Sequence, residues 1–264
     1  MSVELHHEIA GPPDAPVVLL GSSLGTNLEV WDPQVPALAE HLRVVRFDHR
    51  GHGRSPVPPG PYEIADLAHD VLALMDRLGV RHAHYCGLSI GAMVGMWLGA
   101  HAPERVDRLV LMCTAAYLPP ASAWAARARA VLAAGTPEPV ADTVVDRWLT
   151  PAFADEHPEV RRWLRDMLVA QPPDGYAACC GAIERMDLRG DLPRITAPTL
   201  VISGADDPAS APEHQALIAD AVPDARLEVV ADAAHLASVQ QPRVVDRLVL
   251  EHLQTADRGY IPGP

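Results

Sequence analysis

The sequence predicts an α/β protein, a mostly parallel sheet flanked by helices with a helical cap inserted into it, and three observations carry that prediction. Short apolar runs rich in Val, Ile and Leu alternate with longer segments of helical period, which is the pattern of strand–helix–strand units. The alternation breaks off between residues 118 and 189, where the strand signal vanishes and helical stretches are punctuated by prolines at 137, 139, 151, 158, 172 and 173. Strands resume at Thr199, after Pro193 and Pro198. We therefore divide the chain into a core of residues 1–117 and 190–264 and a helical cap of residues 118–189. The 264 residues suit one such domain with its insertion and leave no room for a second enzyme.

In chain order, residues 17–20, 44–47, 82–86, 108–112, 199–203 and 227–230 read as strands. Most are near-continuous apolar runs, as expected of strands covered on both faces. Residues 64–78 place apolar side chains at 64, 67, 68, 71, 74, 75 and 78, the three- and four-residue spacing of one helix face. Residues 90–101, 213–221 and 243–253 keep a helical period as well.

Composition removes whole classes of chemistry. All 21 basic residues are arginine, against 34 acidic ones, for a formal charge of −13. Such a surface repels nucleic acid and anionic membranes, and the absence of lysine excludes Schiff-base and P-loop chemistry. No apolar run approaches the ~20 residues of a membrane span. The N-terminal MSVELHHEIAG lacks the basic-then-apolar order of a secretory signal, so a cytoplasmic location is expected. Cys86, Cys113, Cys179 and Cys180 show no CxxC spacing, and an adjacent pair is poor geometry for a mutual disulfide. We read them as reduced, with Cys86 and Cys113 as small hydrophobes in strand-like runs. The thirteen histidines form no HExxH or paired-ligand spacing, and neither metal nor cofactor is expected.

The segment Tyr85-Cys86-Gly87-Leu88-Ser89-Ile90-Gly91-Ala92 sets G-x-S-x-G between a strand and a helix. The chain must reverse sharply at such a serine, so the positions two before and two after it must lack bulk. The turn lifts the Ser89 hydroxyl above the sheet, and the helix starting at Ile90 aims its N-terminal amides at the same space. A nucleophilic serine needs a base and an orienting acid, in the order Ser, acid, His. Asp206 and Asp207 both follow the 199–203 strand; Asp207, three residues past Gly204 and just before Pro208, is the favoured acid. His235, after the last strand and among small neighbours, is the base.

The loop Gly21-Ser22-Ser23-Leu24-Gly25-Thr26 supplies the second oxyanion amide, with Leu24 and Ile90 as the donors. Asp48-His49-Arg50-Gly51-His52-Gly53-Arg54-Ser55 reads as a glycine-stiffened loop in which Asp48 or Arg50 pairs locally and the two histidines are structural rather than metal ligands.

These motifs resemble the α/β-hydrolase superfamily and, within it, the 3-oxoadipate enol-lactonases of the β-ketoadipate pathway of aromatic catabolism. Arg50-Gly51-His52-Gly53-Arg54-Ser55-Pro56 and the Ser89 elbow are shared widely. Ser23-Leu24-Gly25-Thr26 with Trp31-Asp32-Pro33-Gln34 is more selective, as are Arg147-Trp148-Leu149-Thr150-Pro151 and Gly175-Tyr176-Ala177-Ala178-Cys179-Cys180 in the cap. The resemblance implies the α/β-hydrolase fold and cofactor-free opening of an enol-lactone by Ser89, His235 and Asp207. A serine rather than an aspartate at position 89 argues against dehalogenase or epoxide-hydrolase chemistry. Two departures stand out: Ser22 where relatives commonly have Asn, and Ser-Ile-Gly-Ala where Ser-Met-Gly-Gly is common.

An anionic lactone needs a cationic anchor in this acidic chain. The cap carries 8 arginines against 10 acids, counted from residues 118–189, and is less negative for its length than the core. We expect Arg127, one turn past Trp124, to hold the carboxylate, Trp148 to line the apolar part of the pocket, and Trp124 to bind substrate beside them. Competing expectations are a carboxylesterase, lactonase or perhydrolase for another small ester, and a non-catalytic ligand-binding protein on the same fold.

Overall fold

The architecture, in a computed structural model that describes residues 2–254, is a seven-stranded sheet with a helical insertion. The tail from Thr255 onward lies outside the described residues. The strands are β1 (His7–Ala10), β2 (Val17–Gly21), β3 (Arg43–Phe47), β4 (Ala83–Leu88), β5 (Val106–Met112), β6 (Thr199–Gly204) and β7 (Ala225–Val230). The helices are α1 (Val35–Ala39), α2 (Ile64–Arg77), α3 (Ile90–His101), α4 (Ala121–Ala134), α5 (Glu138–Trp148), α6 (Pro151–Glu156), α7 (Pro158–Val169), α8 (Pro173–Arg185), α9 (Pro212–Ala221), α10 (Ala237–Gln240) and α11 (Pro242–Leu253).

The strand order is β1-β3-β2-β4-β5-β6-β7, parallel except for β1, which pairs antiparallel with β3. The sequence reading misses β1, because His7-Glu8-Ile9-Ala10 is short, half polar and sits at a wet edge that leaves Ile9 exposed. The central strands β4 and β6 are buried at every residue, as their mostly apolar runs require, with His84, Thr199 and Ser203 as buried polar exceptions. α3 is apolar on every face and correspondingly buried from Ile90 to Met96. α2 is amphipathic: its predicted stripe of Ile64, Leu67, Ala68, Val71, Leu74 and Met75 is inside, and a Glu63–Asp66 capping box closes its start.

From β2 the chain crosses to β3 on one side of the sheet, and β4 lies on the other side of β2. Open α/β sheets form their crevice at such a reversal, beyond the carboxyl ends of the strands. The loops after β2 and β4 meet there, and they carry Leu24 and Ser89. Helices α4–α8 run consecutively between β5 and β6, above this crevice. α4 packs along α8, while Arg161 and Arg165 of α7 pair with Asp142, Asp146 and Glu138 of α5. These pairs are exposed and add little stability individually; the buried Val131, Val145, Leu164, Leu168 and Ile183 hold the cap together.

All four cysteines are free and buried. Burial raises their thiol pKa values, as inert apolar packing predicts. Cys113 lies one residue past β5 rather than within the strand, with a left-handed φ of 46°. Among the described residues no cluster of three metal-ligating side chains occurs, and no helix is long and apolar enough to cross a membrane.

Candidate active site

Ser89 caps the start of α3 with φ 57° and ψ −116°, a conformation that ordinary residues avoid. Its amide donates to the Met112 carbonyl (2.9 Å) and its carbonyl accepts from Thr114 Oγ1 (2.9 Å), so the end of β5 holds the strained turn from both sides. The flanking glycines are a steric necessity. A methyl group on Gly87 would collide with the Gly91 backbone, and one on Gly91 would collide with the Gly21 carbonyl. Gly91→Ala is expected to lower stability by at least about 2 kcal/mol in denaturant unfolding and to slow phosphonylation of Ser89.

His235 stands against the serine, with Nε2 2.9 Å from Ser89 Oγ. Its Nδ1 lies 2.9 Å from Asp207 Oδ2. With that carboxylate ionised, Nδ1 carries the ring proton and leaves the Nε2 lone pair facing the hydroxyl. Asp207 is buried and also accepts from the amides of Ala209 (2.8 Å) and Ser210 (3.0 Å) and from Ser210 Oγ (2.8 Å). Burial alone would raise the Asp207 pKa; the His235 charge and the His235 and Ser210 hydrogen bonds outweigh it and hold the carboxyl below its ordinary range. Asp206 is exposed and turns its amide to the Ala233 carbonyl (2.9 Å), so it is Asp207 that meets the histidine. Gly204 brings the two loops together: a methyl group there would strike the Ala233 and Ala234 carbonyls.

Both neighbours of His235 are tied down. The Ala234 amide donates to Gln240 Oε1 (2.8 Å), and the Leu236 amide donates to the Trp148 carbonyl at the end of α5 (2.9 Å). Gln240 in turn donates from Nε2 to Thr150 Oγ1 (3.0 Å).

The two predicted oxyanion donors flank the same space. In the first turn of α3 the Gly91 amide is used by Ser22 O, and those of Ala92 and Met93 by Ser89 O. The Ile90 amide is the remaining helix-end donor. In the β2 loop the Ser23 carbonyl accepts from Thr26 N (3.1 Å) and Thr26 Oγ1 (2.9 Å). In a trans peptide the N–H points opposite to the carbonyl, so pinning Ser23 O fixes the direction of the Leu24 N–H. Ser22 is fully buried and does not line the cavity; it reaches the site through its carbonyl.

Above Ser89 and His235 lies a cavity walled by cap residues that include Trp124, Arg127, Val144, Arg147 and Trp148. It contains the three predicted substrate-binding residues. It also contains Arg147, which the sequence reading missed; its signal was the helical spacing of Val144, Arg147 and Trp148, which puts all three on one face. Among the described residues no aspartate or glutamate lines the cavity. Four other cap arginines are engaged elsewhere: Arg161 and Arg165 pair with α5, Arg189 pairs with Asp187, and Arg185 donates to the Tyr62 carbonyl, while Arg129 and Arg162 do not line the cavity. Among the described residues Arg127 and Arg147 have no ion-pair partner, and Arg127 lies over the Trp124 ring, 4.6 Å from its centroid. Two positive charges in a cavity without an acid in its described lining suit an anion.

The Asp48–Ser55 loop pairs locally through Asp48, as the sequence suggests, but it also reaches distant segments. Arg50 pairs with the buried Asp70 on α2, and Asp48 accepts from the Leu28 amide (2.7 Å) and His6 Nδ1 (2.9 Å) besides the nearby Arg54 amide. Burial lowers the pKa of His49 to about 3 and of His52 to about 4. An unfolded chain takes up these protons near pH 6.5, before the native state does. Stability should therefore be complete above that pH and fall on acidification, by about 1.4 kcal/mol per pH unit for each histidine. Urea midpoints at pH 7 and pH 5 measure this.

Residues 16–242 match the model of the alpha/beta hydrolase fold family. The chain belongs to that family. It is 38% identical over 247 residues to a protein from Acinetobacter baylyi named 3-oxoadipate enol-lactonase 2, covering 94% of this chain and 92% of that one. The crystal structure of an enol-lactonase from Burkholderia xenovorans LB400 superposes with a TM-score of 0.92 at 40% identity, covering 94% of this hydrolase-fold chain and 96% of the other. A relative from Stutzerimonas stutzeri, 31% identical over 94% of this chain and 96% of its own, bears the name carbamate hydrolase RutD.

Proposed function

We propose that the protein is a serine hydrolase that opens an enol-lactone ring, converting 3-oxoadipate enol-lactone to 3-oxoadipate in the cytoplasmic catabolism of aromatic compounds. The observation that carries this reading is the hydrogen-bonded chain Ser89–His235–Asp207 opening into a cavity whose described lining has two arginines without an ion-pair partner and no acid. The name of the Acinetobacter relative carries the same substrate, and that of the Burkholderia structure the same reaction class.

His235 Nε2 takes the Ser89 proton as Oγ bonds to the lactone carbonyl carbon, and the Leu24 and Ile90 amides receive the developing oxyanion. Collapse breaks the ring C–O bond, and the proton passes from His235 to the departing enol oxygen. Because the ester is cyclic, that enol stays tethered to the acyl-enzyme. His235 then deprotonates water, which attacks the acyl carbon and returns Ser89 to its resting form. The enol tautomerises to the ketone, which draws the sequence forward. Arg127 and Arg147 hold the free carboxylate, and Trp124 and Trp148 cover the apolar ring.

A panel of enol-lactone, p-nitrophenyl acetate and a small carbamate tests the assignment. Preferred turnover of the lactone supports it; turnover of the carbamate alone replaces it with the activity that the Stutzerimonas relative's name carries.

A further inference from the structure

We infer that His52 is a positioning residue for the oxyanion amide of Leu24, acting through the Gly25 peptide. This rests on the serine-hydrolase reading above.

The Leu24 N–H belongs to the Ser23–Leu24 peptide, and the peptides on both sides of it are held by imidazoles. On the upstream side, the Ser22 carbonyl accepts from His49 Nε2 (3.2 Å) as well as from the Gly91 amide (3.2 Å). On the downstream side, the Gly25 amide donates to His52 Nε2 (3.0 Å). A carbonyl can only accept and an amide can only donate, so the two rings are opposite tautomers. His49 is protonated on Nε2, and its buried Nδ1 has no partner. His52 is bare on Nε2 and protonated on Nδ1, which faces the Arg50 carbonyl (3.4 Å) and Cys179 Sγ (4.0 Å). Both rings are buried and stay neutral at ordinary pH.

The loop has little freedom to find another arrangement. Gly25 adopts φ +85° with the cap's Leu168 where its side chain would be, and Gly51 beside His52 lies against Gly175 of α8. The strand-to-helix turn fixes Ser22 from below. Thr26 holds the Ser23 carbonyl of the Leu24 peptide itself, and His52 holds the next peptide, Leu24–Gly25, so the two together set the torsions that orient the Leu24 N–H. The His52 imidazole contacts no substrate, and it acts on the reaction only through the Leu24–Gly25 peptide.

The test compares His52→Leu, which removes the acceptor, with His52→Gln, whose amide oxygen falls near the position of Nε2. Each is measured on the most rapidly hydrolysed ester of the panel and with phenylboronic acid, which forms a tetrahedral adduct on a nucleophilic serine. His52→Leu is expected to lower kcat by 10- to 10³-fold, with KM within about threefold and boronate affinity falling in parallel. His52→Gln should recover at least tenfold of the lost kcat. An unchanged kcat and boronate affinity in a folded His52→Leu protein overturn the inference, as does a glutamine variant no better than leucine. Should the leucine variant fail to fold, nitrogen NMR of the wild-type ring decides together with His52→Gln. A bare Nε2, with kcat of the glutamine variant within tenfold of wild type, supports the inference, and a protonated Nε2 overturns it. Absence of Ser89-dependent ester hydrolysis in the wild type overturns the serine reading and this inference together; wild-type turnover with unaffected His52 variants overturns this inference alone.

Discussion

Ser89→Ala should abolish lactone opening, with kcat falling at least about 10⁴-fold while the fold and the cavity stay intact. The expectation follows from geometry: Oγ is the one atom within hydrogen-bonding reach of His235 Nε2, and the strained turn that presents it depends on backbone bonds to Met112 and Thr114 rather than on the hydroxyl. The substitution therefore removes the nucleophile without loosening the elbow. Steady-state assays at high enzyme concentration, with unfolding curves beside them, measure both halves of the statement. Retention of more than a few per cent of wild-type turnover in a folded Ser89→Ala protein would point to direct attack by water and discard covalent catalysis.

Replacing the cavity arginines should separate charge recognition from chemistry. A charge-assisted hydrogen bond to a carboxylate contributes about 1.5–3 kcal/mol, so Arg127→Met or Arg147→Met should cut kcat/KM for the anionic lactone by roughly 10- to 100-fold. The neutral p-nitrophenyl acetate should lose no more than about threefold. The double substitution should cost less than the product of the single effects if both guanidinium groups grip one carboxylate. Raising ionic strength should weaken the lactone reaction and leave the acetate reaction unchanged. Equal losses on both substrates would make the two residues packing elements over Trp124 and Trp148 instead.

Much of this was legible in the sequence because local rules decided it. Gly87 and Gly91 are dictated by the sharp reversal at Ser89, and mostly apolar runs by burial on both faces of β4 and β6. Asp207 was favoured over Asp206 on spacing alone, and its burial against His235 separates the two physically. What escaped the sequence depends on contacts between distant segments. β1 is defined by pairing with β3 rather than by its own apolarity. Arg50 finds Asp70 twenty residues on, and His49 and His52 find the β2 loop, because the sheet order brings β3 beside β2. Arg147 was hidden for a different reason: pairing decides which cap arginines stay unengaged, and acids on neighbouring helices settle that.

The bonds that the Leu236 amide and Gln240 make with Trp148 and Thr150 bear on how such a protein can change its substrate. A segment that walls the cavity and also braces the His235 loop is not an interchangeable part. A transplanted cap would bring a new pocket yet leave the histidine loop without its carbonyl and hydroxyl partners unless it supplied equivalents at the same two places. Point changes on the inner faces of α4 and α5 leave those main-chain links untouched. Divergence in specificity should therefore proceed residue by residue within the cavity wall, with the end of α5 as the fixed hinge around which the rest can vary.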